Sequence, residues 1–177
     1  MFKKKRKEED VQIVIPVDEA ARNLGVKVGK NFSVTGRVSY SSEPYLISIG
    51  DDVRLSDNVN FVTHDGGMHV IRNYKDIPAD SFGRITVGNN VFIGMNSLIL
   101  PGVTIGNNVI IGAGSIVTKD IPSNSVACGV PAKVIESLDE YYKKNKKNIE
   151  LTKNMTPEEK KEYLLKKYKI NLESTIL

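Results

Sequence analysis

The chain has 177 residues, 40% of them hydrophobic and 26% charged, with a formal net charge of +4. That length suits one domain with appendages, and no apolar run is long enough to cross a bilayer. Cys128 is the single cysteine, which excludes an internal disulfide; with no hydrophobic signal core behind Met1-Phe2, the expected location is the cytoplasm.

The charge sits at the ends. Residues 1–10 hold five basic and three acidic side chains and residues 136–177 hold ten and eight, so each end carries +2 and the middle, with ten of each, is balanced. A balanced body argues against a nucleic-acid footprint. The run Lys3-Lys4-Lys5-Arg6-Lys7 reads as a solvated arm. Its sharper alternative is contact with an anionic membrane surface, worth about 1 kcal/mol per basic residue. Asp18 is placed to cap a short helix over residues 19–24, with Gly25 ending it.

From Val28-Gly29 a six-residue period begins, with Val34 one hexad on. SYSSEPYL (residues 39–46) breaks it, and Ile49-Gly50, Leu55 and Phe61 resume it. Phe61 and Val87 are 26 apart, not a multiple of six, so a segment is extruded between them. Residues 64–84 form that insert, and both histidines, His64 and His69, lie in it. Its glycines and mixed polarity read as a loop, and a long loop within a compact fold is more often functional than idle.

The clearest stretch follows: VGNNVF-IGMNSL-ILPGVT-IGNNVI-IGAGSI-VTKDIP. Val87, Ile93, Ile99, Ile105, Ile111 and Val117 recur at every sixth position. Gly88, Gly94, Gly106 and Gly112 follow four of them, and Val91, Ser97, Val103, Val109, Ser115 and Ile121 stand four places on. Period six fits neither an α-helix nor a two-sided strand. It fits a parallel β-helix, in which hexads stack as short strands about 4.8 Å apart. Asn and Gly at the corners are expected to supply positive φ. One coil cannot bury its own core, so stability comes from stacking. Beyond Ile135 the period gives way to helical spacing. There Thr156-Pro157-Glu158-Glu159 reads as a capping box, and Tyr163, Leu164, Lys167 and Tyr168 form a partly apolar face.

The run closing in IGAGSIVTKDIP and SNSVACGVPAKVI resembles the hexapeptide-repeat acyltransferases, in the branch of galactoside, maltose, xenobiotic and polysaccharide O-acetyltransferases. The likeness spans roughly residues 26–135. It implies a mainly β fold: a left-handed parallel β-helix over residues 28–135, with the extruded loop 64–84. A basic arm and short helix (1–27) precede it, and a C-terminal helical extension (136–177) follows. Left-handedness comes with the resemblance and departs from the right-handed crossover rule. The likeness also implies acetyl-CoA as co-substrate with no metal, a hydroxyl-bearing sugar or small-molecule acceptor, and a homotrimer with clefts between prisms.

Acetyl transfer needs a base, donors for the oxyanion and a grip on the carrier. Imidazole titrates near ~6.5, and the family's catalytic histidine occupies a junction like that of His64, which takes that role. Asp65 adjoins it but would point the other way along a strand. A backbone carbonyl or Glu43 can orient the ring instead. For Glu43, acceptor binding and the seating of a corner through Pro44 both stand open; Tyr45 and Asp65 are further acceptor candidates. By resemblance Met95, Ala113, Thr118, Lys119 and Lys133 hold acetyl-CoA, the two lysines as point charges on phosphate. Met95 stands where the galactoside enzyme has serine. Phe92 replaces a tryptophan of some relatives and is expected beside the active site. Cys128 reads as a buried, inert thiol. Two alternatives are weighed. A γ-class carbonic-anhydrase-like metal site would draw on His64 and His69, although two histidines fall short of that class's three. The other is a non-catalytic β-helix scaffold.

Overall fold

In the computed structural model, which describes residues 17–171, the hexads wind into coils with three flat sides. One side stacks the strands Lys27–Val28, Ile47–Ile49, Ile85–Val87 and Thr104–Ile105. The second stacks Ser33–Val34, Arg54–Leu55, Val91–Ile93, Val109–Ile111 and Ser125–Gly129, and the third Val38–Ser39, Val59–Phe61, Leu98–Ile99 and Ile116–Val117. Every pairing among these is parallel. The arrangement is the left-handed parallel β-helix that the resemblance implies. The strand Ala132–Ser137 folds back antiparallel on Ser125–Gly129 and finishes the second side.

The period of six is a burial rule. Val87, Ile93, Ile99, Ile105, Ile111 and Val117, together with the residues four places on, are all at most 4% exposed. Each hexad therefore sends two side chains inward. Buried Ser97 and Ser115 both donate to the Gly112 carbonyl, which satisfies polar groups that would otherwise be costly to bury.

Asn and Gly divide the corner work differently from expectation. Asn90, Asn96 and Asn108 adopt the left-handed φ, at 53°, 58° and 54°. Their amides also stack from coil to coil: Asn90 Nδ2 donates to Asn108 Oδ1 at 2.9 Å, and Asn108 Nδ2 to Asn124 Oδ1 at 2.8 Å. The glycine after each periodic aliphatic is not in that region. It is required because the next coil passes too close for a Cβ: one added at Gly94 would lie 2.5 Å from the Ala113 nitrogen.

A full coil takes 18 residues, as between Leu98 and Ile116. Val38 and Val59 pair 21 apart, three more than a coil, and Asn60 and Leu98 pair 38 apart, twenty more. Both surpluses leave the prism at the same corner, between the third and first sides. Ladder hydrogen bonds occupy the flat sides, so extra chain can exit only at corners.

Among the described residues there are four α-helices: α1 (Val17–Asn23), α2 (Met68–Lys75), α3 (Leu138–Asn145) and α4 (Pro157–Tyr168). α1 starts earlier than expected, so Asp18 lies in its first turn; Gly25, at φ 103°, ends it. α2 corrects the reading of the insert as loop throughout. It is eight residues long and buries none of them. A second compact unit begins at Tyr142. In it Thr156 accepts from Glu159 N at 3.2 Å and Glu159 accepts from Thr156 N at 2.8 Å, the expected capping box. The basic arm at residues 3–7 lies outside the described residues. Among those described, no helix is long and apolar enough to cross a membrane.

Replacing Gly94 by Ala should cost about 1–3 kcal/mol in urea denaturation, by overpacking against the next coil. Gly66→Ala, whose added methyl meets nothing within 4 Å, should change stability by no more than about 0.5 kcal/mol. Equal costs at the two sites would contradict the close-approach explanation.

Candidate active site

The two surpluses of chain meet at one corner, and their residues touch. The longer one leaves after Thr63 and returns at Gly83. His64 and Phe82 form an antiparallel bridge across its base. Asp65 N donates to Ser81 O at 2.9 Å and Gly83 N to Thr63 O at 2.8 Å. The stem of the insert is thus a short ladder that fixes the backbone of His64. The shorter surplus, one coil earlier, turns through Ser41, Ser42 and Glu43 into a 3₁₀ turn at Pro44–Leu46.

Stacking places Glu43 beside His64. Glu43 Oε2 lies 3.3 Å from His64 Nδ1 and accepts from the Ser42 hydroxyl at 2.8 Å and from the Thr63 hydroxyl at 2.9 Å. Thr63 is fully buried, so its hydroxyl locks the carboxylate from the core side. Ser42 Oγ and Ser41 Oγ stand 3.1 and 3.4 Å from the same ring nitrogen. A carboxylate can only accept. With Nδ1–H turned to Glu43, the lone pair is on Nε2, as a general base requires. The His64 side chain is 41% exposed, open enough to meet a substrate. The Ser42 hydroxyl above all, then the Thr63 hydroxyl and the His64 ring, hold the Glu43 carboxyl below its ordinary value, against a smaller opposing effect of burial.

Two depressions adjoin the ring. One, of about 330 Å³, is lined by Ser42, Glu43, His64, Asp65, Gly66, Arg72, Asp80, Ser81 and Phe82. The other, of about 520 Å³, runs past His64 to Leu100, Pro101 and Thr118 on the coils beyond.

Comparison with known proteins bears on what this corner does. Residues 84–119 match the family described as bacterial transferase hexapeptide (six repeats). A Staphylococcus aureus protein named CapG is 53% identical over 157 residues, covering 87% of this chain and 90% of its own. The structure of a maltose O-acetyltransferase from Clostridium difficile 630 is 34% identical with a TM-score of 0.54, over 68% of this chain and 73% of that one. A galactoside acetyltransferase solved in complex with coenzyme A is 37% identical with a TM-score of 0.51, over 67% of this chain and 58% of that one. The chain belongs to the hexapeptide-repeat acetyltransferases.

In this acetyltransferase the expected site residues fall into separate groups. His64, Glu43, Asp65 and Thr118 converge on the corner between the third and first sides, and Lys119 is exposed next to Thr118. Met95 and Ala113 lie on the other edge of the third side, stacked so that Gly114 N donates to Met95 O at 2.8 Å. Lys133 pairs across the closing hairpin with Cys128, whose Cβ covers Gly112; the thiol is half-exposed rather than buried. Tyr45 is 65% exposed, has Gly25 as a neighbour and lines neither depression. Phe92 is on the outer surface of the second side, in register between Arg54 and Ile110. His69 is exposed on α2. Among the described residues no group of three His, Cys, Asp or Glu side chains is placed to hold a metal ion.

Sequence reading missed Ser41, Ser42, Thr63, Arg72, Asp80, Ser81 and Phe82. The only signal was the run of hydroxyls in SYSSEP at the point where the period fails.

Because its folded pKa is depressed, Glu43 adds stability above its unfolded pKa and loses it as pH falls through the folded value. The stability difference between the wild type and Glu43→Gln should thus be full at neutral pH. It should shrink as pH falls from the ordinary glutamate value of about 4.3 through the lower folded value, as read by urea denaturation across that range. A difference constant with pH would contradict the network.

Proposed function

We propose that this protein transfers an acetyl group from acetyl-CoA to a hydroxyl of a sugar or polysaccharide precursor, with His64 as general base. The observation that carries the reading is the His64–Glu43 contact at the rim of a groove that continues to Thr118. Nε2 takes the acceptor's hydroxyl proton as the oxygen attacks the thioester carbonyl. The tetrahedral intermediate then collapses, the carbon–sulfur bond breaks, and the imidazolium returns the proton to the departing thiolate. Glu43 fixes the ring's orientation and stabilises the transient imidazolium, and no acyl-enzyme forms. The coenzyme A held by the galactoside enzyme's structure supports a CoA thioester as donor.

The donor-binding candidates support an assembly as well. Thr118 and Lys119 lie along one edge of the third side and Met95 and Ala113 along the other. A homotrimer, with the edge of one prism set against a neighbour's, would bring such edges to a shared cleft. Light scattering should then give the mass of three chains. In that assembly Lys119 and Lys133 meet the CoA phosphates as point charges. The cytoplasm, where acetyl-CoA is at hand, is the compartment this chemistry suits.

Release of free thiol from acetyl-CoA, followed with a panel of sugar acceptors, tests the reading. His64→Ala should lower kcat by roughly 10²-fold or more while the thermal unfolding transition stays within a few degrees of wild type. Glu43→Gln should lower kcat by less, with the acetyl-CoA KM unchanged. A fully active His64→Ala enzyme would overturn the assignment, and no thiol release with any acceptor would favour a scaffold.

A further inference from the structure

The acceptor side of His64 is unevenly charged, and the consequence rests on the reading of His64 as base. Three carboxylates line the smaller depression, Glu43, Asp65 and Asp80, against one cation, Arg72. The cation is already engaged: Arg72 Nη1 donates to the Ala79 carbonyl at 3.0 Å and forms an ion pair with Asp80. Asp65 gives one oxygen to Gly67 N at 2.8 Å. Asp65 and Asp80 each keep a second oxygen with no partner among the described residues, and such oxygens can only accept. Phe82 lines the same depression, is 54% exposed and is tied to His64 by the bridge at the loop base. An exposed aromatic ring beside a polar site is a platform for an apolar molecular face. At about 330 Å³ the space is near the lower end of ligand pockets, which run from roughly 300 to 1,000 Å³.

A ligand matched to these features offers hydroxyl donors at its rim and C–H groups on one face, fits as a single ring, and carries no negative charge. We propose that the site selects an uncharged ring-shaped polyol and discriminates against acceptors bearing a carboxylate or phosphate. Asp80 and Phe82 are its specificity-determining residues. Asp80 both accepts from a ring hydroxyl and keeps Arg72 from serving as an anion receptor. Phe82 stacks on the C–H face and holds the ring against the base. Such selection works by exclusion as much as by attraction.

The test is kcat/KM at saturating acetyl-CoA for neutral methyl hexopyranosides and for the matching methyl hexuronides. The wild type should favour each neutral acceptor by about tenfold or more, chiefly through KM, as unpaired like charge predicts. Asp80→Asn, which removes one carboxylate charge and frees Arg72, should narrow the ratio or invert it. Phe82→Ala should raise KM for the neutral ring several-fold with the acetyl-CoA KM unchanged. Hexuronides turned over as well as their neutral partners would overturn the inference and leave acetyl transfer standing. An unchanged ratio in Asp80→Asn would overturn the role given to that residue. No transfer to any member of either series would overturn both the inference and the acetyl-transfer reading.

Discussion

Register between coils is the constraint on which this structure depends. Each coil is held to the next by parallel ladders on three sides and by inward aliphatics stacked in columns. A coil can lengthen only where no ladder passes, and that is at a corner. The three-residue surplus before Ile47 and the twenty-residue surplus before Ile85 both use the corner between the third and first sides, in consecutive coils. Since strands stack at about 4.8 Å, residues that leave the same corner one coil apart must become neighbours. Glu43 and His64, 21 positions apart in the chain, meet for that reason.

The chemistry follows from the neighbourhood so created. A histidine on a free surface loop would have neither a fixed ring nor a defined tautomer. Here the backbone at His64 is pinned by its bridge to Phe82, and its Nδ1 faces a carboxylate held by the hydroxyls of Ser42 and Thr63. Thr63 is fully buried, so the positioning of the exposed His64 ring reaches back into the hydrophobic core. The rigid prism therefore supplies orientation, and the extruded segment supplies walls of the depression beside His64.

Much of the fold was legible in the sequence because its signal is repetitive. One period identifies the inward residues, and breaks in the period locate both excursions. The role of the hexad glycines was misread, since a composition of Gly and Asn does not separate a positive φ from a close approach; the next coil's backbone decides. Helix α2 escaped notice because it is only eight residues long and follows two glycines, although Met68, Ile71 and Tyr74 recur at helical spacing. The site was legible in part. His64 stands out as a histidine at a break, and Glu43 as the carboxylate of the neighbouring break. Arg72, Asp80 and Phe82 carry no such mark, because their place depends on how the insert folds back over its own base. Tyr45 and Phe92 lie apart from His64 within one chain, because in a three-sided coil closeness in sequence to a site residue does not fix which side a residue faces.

The most direct test of the central claim, that stacked excursions hold an imidazole where a thioester is presented, is a crystal structure of the protein with coenzyme A. The account predicts the thiol sulfur within hydrogen-bond reach of His64 Nε2, with the pantetheine arm lying in the groove that passes Thr118. A thiol bound elsewhere, for example on the second side beside Phe92, with His64 turned away from it, would contradict the account.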